Sequence, residues 1–398
     1  MKPAARLLVP TLLILTATAA RAADSGSFLV RLGQDTTSVE RYTRTGNKLE
    51  ITQVGRSPRT LQRHFVYDFQ GDAVTHISVT MTPPGGATPT QTVDATFDAD
   101  SARTQIVNGT AAPQLVHFAV PRGALALFSS SPWSLYEGRI QQLVKSKSDT
   151  LGGPLYYVGN NQLDRFLLRK IGRDSVEITN THLDVYHAAI DKSGRILGTL
   201  PVAGTQKFSV TRMPALDVDG LAASFMAREK AGQGVGTLSP RDTVRVASAA
   251  GDSLMIDYGR PAKRGRDIFG AAVVPYGEVW RTGANAATQF RTNRALDFGG
   301  TVVPAGFYTL WTLPTATGWT LIVNAETGQW GTQHKAERDL YKIPMQVSRL
   351  PQVVERFTIG IERTGNAGTL NLDWDTTRAS ATFSVRPADM AQATEKQK

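Results

Sequence analysis

The sequence predicts a mainly β protein of two domains, an N-terminal antiparallel curved sheet or half-barrel with one covering helix and a C-terminal antiparallel β-sandwich. Three observations predict it. Short runs in which apolar and polar residues alternate recur along most of the chain, broken by Gly, Asn, Asp and Ser turns. Helical spacing is confined to two short segments. An aperiodic stretch with three glycines in six residues, AGQGVG, separates one strand-rich region from another.

In chain order, residues 1–22 read as a secretory signal: Lys2 and Arg6 give a positive start, Leu7 to Ala17 an apolar run, and Ala20-Arg21-Ala22 a small-residue cleavage site. The run falls short of the roughly 20 apolar residues that span a bilayer, so no transmembrane segment is expected and the mature protein should be exported, to the periplasm or beyond. Residues 24–213 form the first β-rich domain, with hairpin-like text such as VERYTRTGNKLEITQV and VYHAAIDKSGRILGTL. Within it Trp133, Tyr136, Ile140, Leu143 and Val144 recur at helical spacing over Pro132 to Lys145, with Ser131 placed as the cap. Residues 214–237 hold a second helix, from Leu216 to Lys230, and the glycine-rich linker. Strands resume at 238–387 with the short, regular spacing of a sandwich (SLMIDYG, TQFRTN, FYTLWTL, WTLIVN, TLNLDWD), and the polar tail 388–398 is expected to be disordered.

The absence of cysteine excludes disulfides, thiolate metal sites, a cysteine nucleophile and a lipid-modified cysteine anchor together. The formal charge of +10 includes three cations of the leader, and the rest are dispersed apart from one cluster at Arg260 to Arg266. A nucleic-acid binder would concentrate them on a stripe with interleaved aromatics, so no nucleic acid is expected. An acidic glycan or another small anionic ligand of the envelope is the expected partner. The sequence leaves the oligomeric state open.

The most distinctive text is VVPYGEVWRTGANAAT, from Val273 to Thr288, with YGRPAKRGRDIFG before it and VPAGFYTLWTLP and GQWGTQH after it. On these motifs, residues 236 to 387 resemble the bacterial domain of unknown function 2911 family, whose activity is uncharacterised. The resemblance implies a family and no reaction. It does not extend to the first domain, whose hairpin-rich text is reminiscent of exported half-barrel proteins that cradle lipids or envelope components.

The leading site candidate joins Tyr258, Arg260 and Arg266 of the basic loop to Trp280, Arg281 and Asn285 of the Trp-Arg-Thr-Gly-Ala-Asn corner. Arginine forks and glycine-freed amides suit a carboxylate or phosphate, provided the loops meet. The alternative is structural: Arg266 and Arg281 would pair with Glu278, Asp257 or Asp267, and the glycines would only supply positive φ. Trp330 and His334, in the loop from Asn324 to Asp339, complete the candidate ligand-binding set. Trp280 and Trp330 could stack on a sugar ring or close one end of the sandwich, and His334 stands where the family resemblance implies an aromatic ring.

Neither metal nor cofactor is assigned. His182 and Asp184 share a strand face but are too few for a zinc site, and Asp217-Val218-Asp219-Gly220 lacks the later ligands of a calcium loop and reads as a helix start. No Gly-x-Ser-x-Gly elbow, His-Glu-x-x-His, Ser-x-x-Lys or Walker loop is present. The reading therefore leans to a non-enzymatic binding protein. A hydrolase of an envelope glycan or ester, using Glu278, Asp257 or His334 in the same cleft, is one alternative. A lipid or lipoprotein carrier built on the first domain is another. The pair Asp373 and Asp375 flanks Trp374, where alternation puts the ring in the core and the carboxylates outside.

Overall fold

A computed structural model describes residues 24–128, 132–180, 184–249 and 251–387. The leader, the tail from 388, Ser131 and His182 lie outside the described residues. The protein is mainly β, with two large sheets that do not close into barrels. Among the described residues no helix is long and apolar enough to cross a membrane.

The first sheet has fifteen strands among the described residues. From Asp24–Leu32 each strand pairs antiparallel with the next in sequence, out to Gln114–Ala119 at one edge. The other side of Asp24–Leu32 pairs with Ser209–Met213, and the sheet then runs backwards through the chain to Thr150–Tyr157. The short strand Leu125–Leu127 ends it in a parallel pairing with Thr150–Tyr157. Strong curvature brings the two ends together: Tyr156 stacks on Phe118 at 5.7 Å and meets the edge of Phe97 at 6.1 Å. The expected curved, open sheet is therefore present.

Helix α1 (Trp133–Lys145) packs into this core, with Trp133, Leu135, Tyr136, Ile140 and Leu143 all buried. No side chain at the preceding residue caps it. Instead Glu40, from the strand Asp35–Thr45, accepts the Trp133 and Ser134 N–H groups at 2.9 and 3.0 Å. A carboxylate on the first helical amides satisfies orphan donors and faces the positive end of the dipole. One turn on, buried Glu137 accepts from Tyr42, Arg212 and the Ile196 N–H, which ties the helix to three strands.

Helix α2 (Val218–Lys230) begins at Asp217, whose carboxylate accepts the Gly220 N–H at 2.9 Å. Its buried face of Val218, Ala222 and Phe225 packs on Val39 and Val54 of the first sheet. Among the described residues the second sheet has nine strands in the order Arg241–Ala247, Ser253–Gly259, Thr288–Thr292, Gly306–Pro314, Trp319–Asn324, Asp339–Thr364, Ala367–Val385, Leu296–Phe298, Thr301–Val303. Register breaks within Asp339–Thr364, between Arg349 and Thr358, mark where it bends. Its far half then faces Ser253–Gly259: the Ile359 N–H donates to Tyr258 at 2.9 Å, and the Tyr258 and Phe357 rings meet at 5.7 Å. The space between is filled by one core that includes Trp280, Trp319, Phe357 and Trp374.

Candidate functional site

The two loops singled out in the sequence do meet. Gly259 lies so close to the Ala284 carbonyl that a side chain there would collide with it, and Gly283 packs on the Gly259 backbone in return. Close backbone approach is thus one reason for these glycines. The contact, however, seals the end of the core rather than opening a cleft. Tyr258 is fully buried, and Trp280, 8% exposed, stacks on Trp374 at 5.9 Å. Neither ring offers a face to a ligand, which corrects their assignment as binding residues. Arg260 is spent on structure, donating to Asp242 at 2.9 Å, to the Thr358 hydroxyl at 2.9 Å and to the Phe357 carbonyl at 3.2 Å.

Asn285 is exposed on left-handed backbone, φ 63°, and its carbonyl accepts the Gly331 N–H at 2.9 Å. Trp330 is half-buried, and its N–H donates to Gln333. His334 has the partner that sequence could not show: its Nε2 lies 2.8 Å from an Asp339 oxygen that also accepts from Asn324, and its ring sits 4.8 Å from Trp311. This arrangement pins the loop to the strand edge. Of the carboxylates weighed for hydrolysis, Asp257 is engaged by Arg241 and Thr243, whereas Glu278 is exposed and makes no hydrogen bond or ion pair among the described residues. Of the pair flanking Trp374, Asp373 holds both ends of the Arg378 fork and Asp375 pairs with Lys263. Trp374 is buried between them as its alternation requires.

The remaining cations converge on the seam between the two sheets. The Lys263–Arg266 turn wedges against the turn at Gly33 and Gln34 of the first sheet, whose Gln34 N–H donates to the Arg264 carbonyl at 3.0 Å. Gly33 has φ 60°, and any Cβ there would strike that carbonyl. Arg264 is itself left-handed, φ 50°, a conformation that costs a non-glycine residue roughly 1–2 kcal/mol and that surrounding contacts must hold. Those contacts are its N–H to Glu355 at 2.8 Å and its guanidinium paired with Asp35.

Beside this turn lies a cavity of about 260 Å³ lined by Arg56, Arg228, Arg264 and Arg356, with Asp35 and Glu355 as its carboxylates. Arg56 and Arg264 are only 7% and 9% exposed. Burial, then Arg228, holds the Arg56 pKa below the usual arginine range, and its guanidinium rests 4.5 Å over the Phe225 ring of α2. The side chains of Arg228 and Arg356 make no hydrogen bond or ion pair among the described residues, and Nη1 of Arg356 is buried without an acceptor. Four cations against two carboxylates give the cavity a positive potential.

Further along the seam, Arg266 donates only to the carbonyls of Ala262 and Lys263, at 2.6 and 3.0 Å, and burial followed by Arg264 pushes its pKa down to about 10. Arg281 lies against Gly331 and donates to the Gly204 carbonyl of the first domain at 3.3 Å; its Nε has no acceptor, and burial pushes its pKa down to about 10. Lys207 is half-buried, has no carboxylate within ion-pair distance, and is lowered by burial and then by Arg281. The structural pairing expected for Arg266 and Arg281, with Glu278, Asp257 or Asp267, does not form.

Arg266 and Arg281 were legible in the sequence as cationic candidates. Arg56, Arg228, Arg356 and Lys207 were not, because they stand far apart in the chain within unremarkable strand, helix and turn text. Among the described residues no group of three His, Cys, Asp or Glu is arranged to hold a metal ion. Residues 239–383 match the family model described as a protein of unknown function, DUF2911, and no family model matches the N-terminal domain. No curated protein matches the chain.

Proposed function

We propose, taking a C-terminal domain of the DUF2911 family as the premise, that this is an exported, non-enzymatic protein that binds an anionic envelope ligand at the seam between its two sheets. One observation carries the reading: two buried arginines, Arg56 and Arg264, line a cavity of about 260 Å³ whose other arginines, Arg228 and Arg356, make no hydrogen bond or ion pair among the described residues. Guanidinium forks suit oxyanions: Arg228 is exposed and open to one, Arg356 is half-buried with its Nη1 lacking an acceptor, and buried Arg56 and Arg264, held by the Thr36 carbonyl and Asp35, add fixed positive charge behind them. Export rests on the N-terminal leader text. Burial of Trp280 takes away one of the two tryptophan platforms weighed for a neutral sugar, which favours charge as the recognised feature. Carriage of lipid in the first domain finds less support, since its core is occupied by α1 and the side chains around it.

The test is thermal unfolding of the mature chain in phosphate, pyrophosphate, citrate and glucuronate. A ligand at 100 times its dissociation constant stabilises by about 2.7 kcal/mol. The expected result is a rise in Tm with at least one of these anions, lost in an Arg228→Ala/Arg356→Ala variant that folds normally. If no anion raises Tm beyond matched chloride, the reading fails.

A further inference from the structure

The cationic seam does not end at the arginine cavity. The turn Lys263–Arg266 joins two groups of cations: Arg264 lines the cavity with Arg56, Arg228 and Arg356, while Arg266, two residues on, packs its stem against the same Gly33. Beyond it stand Lys207, on the segment before Ser209–Met213, and Arg281, which reaches across the seam to the Gly204 carbonyl. The carboxylates nearby are Asp35 and Glu355 in the cavity, Glu229 beside Arg56, and Asp184 and Glu278 near Lys207. Two of these are committed: Glu229 accepts the Thr60 N–H, and Asp184 accepts the N–H groups of Thr205 and Gln206. Asp35 is paired with Arg264, and Glu355 accepts the Arg264 N–H.

We infer that the seam takes a linear polyanion, a chain with oxyanionic groups at several positions, one seated in the arginine cavity and later ones on Arg266, Lys207 and Arg281. This deepens the anion-binding reading and rests on it. A single small oxyanion would occupy the cavity but not reach the second group of half-buried cations, which make no ion pair among the described residues although Asp184 and Glu278 lie near Lys207. A chain of anions compensates both groups and relieves their mutual repulsion at once. Burial is the main cause of the lowered pKa values, and neighbouring cations add to it: Arg281 and Arg266 act on Lys207, Arg264 on Arg266, and Arg228 and Arg264 on Arg56. With pKa values near 10, Arg266 and Arg281 remain cationic at neutral pH. Phosphodiester or polyphosphate chains and acidic oligosaccharides share this chemistry.

The experiment measures affinity of the mature full-length chain by calorimetry for two series. One is phosphate, pyrophosphate, tripolyphosphate and a longer polyphosphate. The other is mono-, tri- and hexagalacturonate. The expected result is a gain of about tenfold or more from the shortest to the longest member of one series, since a second engaged group benefits from effective concentration. The series that shows it distinguishes phosphate from carboxylate chains. Lys207→Gln, which removes a side chain without ion-pair partners, should abolish most of that gain and leave the shortest member within about twofold. Arg281→Ala should act in the same way, and Lys207→Gln keeps the test decisive if that variant fails to fold. Lys192→Gln, exposed on a distant turn, should leave the gain intact. Binding independent of length, or a gain equally reduced by Lys192→Gln, overturns the polyanion inference while the cavity reading stands. No binding of any member overturns both.

Discussion

At the scale of single residues, the first domain is organised around buried charge that its core text conceals. Glu40 is fully buried, and burial raises its pKa to about 7 against the helix amides that favour its ionised form. A carboxyl whose folded pKa exceeds its unfolded value contributes stability below the unfolded pKa, near 4.5, and loses it as pH rises towards 7. Urea unfolding between pH 4.5 and 7.5 should therefore show a declining contribution of up to about 3 kcal/mol, and Glu40→Gln, which cannot ionise, should remove that decline. An unchanged pH profile in the variant would show that Glu40 does not titrate there. Asp252 works in the opposite sense. Its hydrogen bond from Ser248, and then Arg363, hold its pKa below the usual carboxylate range, so its contribution is lost as pH falls. The tryptophans show where residue type misleads: Trp280 sits beside loop glycines in the sequence, yet the fold encloses it with Trp374, Phe357 and Phe269.

At the scale of elements, the two helices differ in how local their instructions are. The start of α2 is written in adjacent residues, Asp217 accepting from Gly220, and Asp217→Ala should cost about 1 kcal/mol. Because α2 carries Arg228 and presents Phe225 to Arg56, the same change should weaken pyrophosphate binding several-fold by loosening one wall of the cavity. Binding by Asp217→Ala at full strength would mean that α2 does not position the site. The start of α1, by contrast, is capped by Glu40, from a strand about a hundred residues earlier. Its periodic residues, Trp133, Tyr136, Ile140 and Leu143, were legible and are buried. The burial of Glu137 on the same helix was not, because its partners Tyr42, Arg212 and Ile196 come from three separate strands.

For the whole molecule, the seam is the feature that neither sheet has alone, and two glycines separate its contribution from ordinary turn geometry. Gly46 has φ 57° with open space around it, so Gly46→Ala should cost only the roughly 1–2 kcal/mol of a left-handed alanine. Gly33 has nearly the same φ but abuts the Arg264 carbonyl and the Arg266 stem. Gly33→Ala should therefore destabilise more in thermal unfolding and, by displacing the Arg264 turn, weaken anion binding, which Gly46→Ala should leave unchanged. Equal behaviour of the two variants would show that the turn contact does not hold the site together.

The sequence by itself determined the mainly β class, the two helices and the DUF2911 character of the C-terminal region, because hairpin alternation, helical spacing and motif order are local properties of the chain. It also marked Arg266 and Arg281 as unusual cations. Tertiary structure alone decided that Tyr258 and Trp280 are core, that Arg260 is a strut, and that Arg56, Arg228, Arg264 and Arg356 surround one cavity. The reason is physical: whether an arginine is paired, spent on a carbonyl or left facing a cavity depends on which distant strands the sheets bring beside it. No local pattern encodes that proximity.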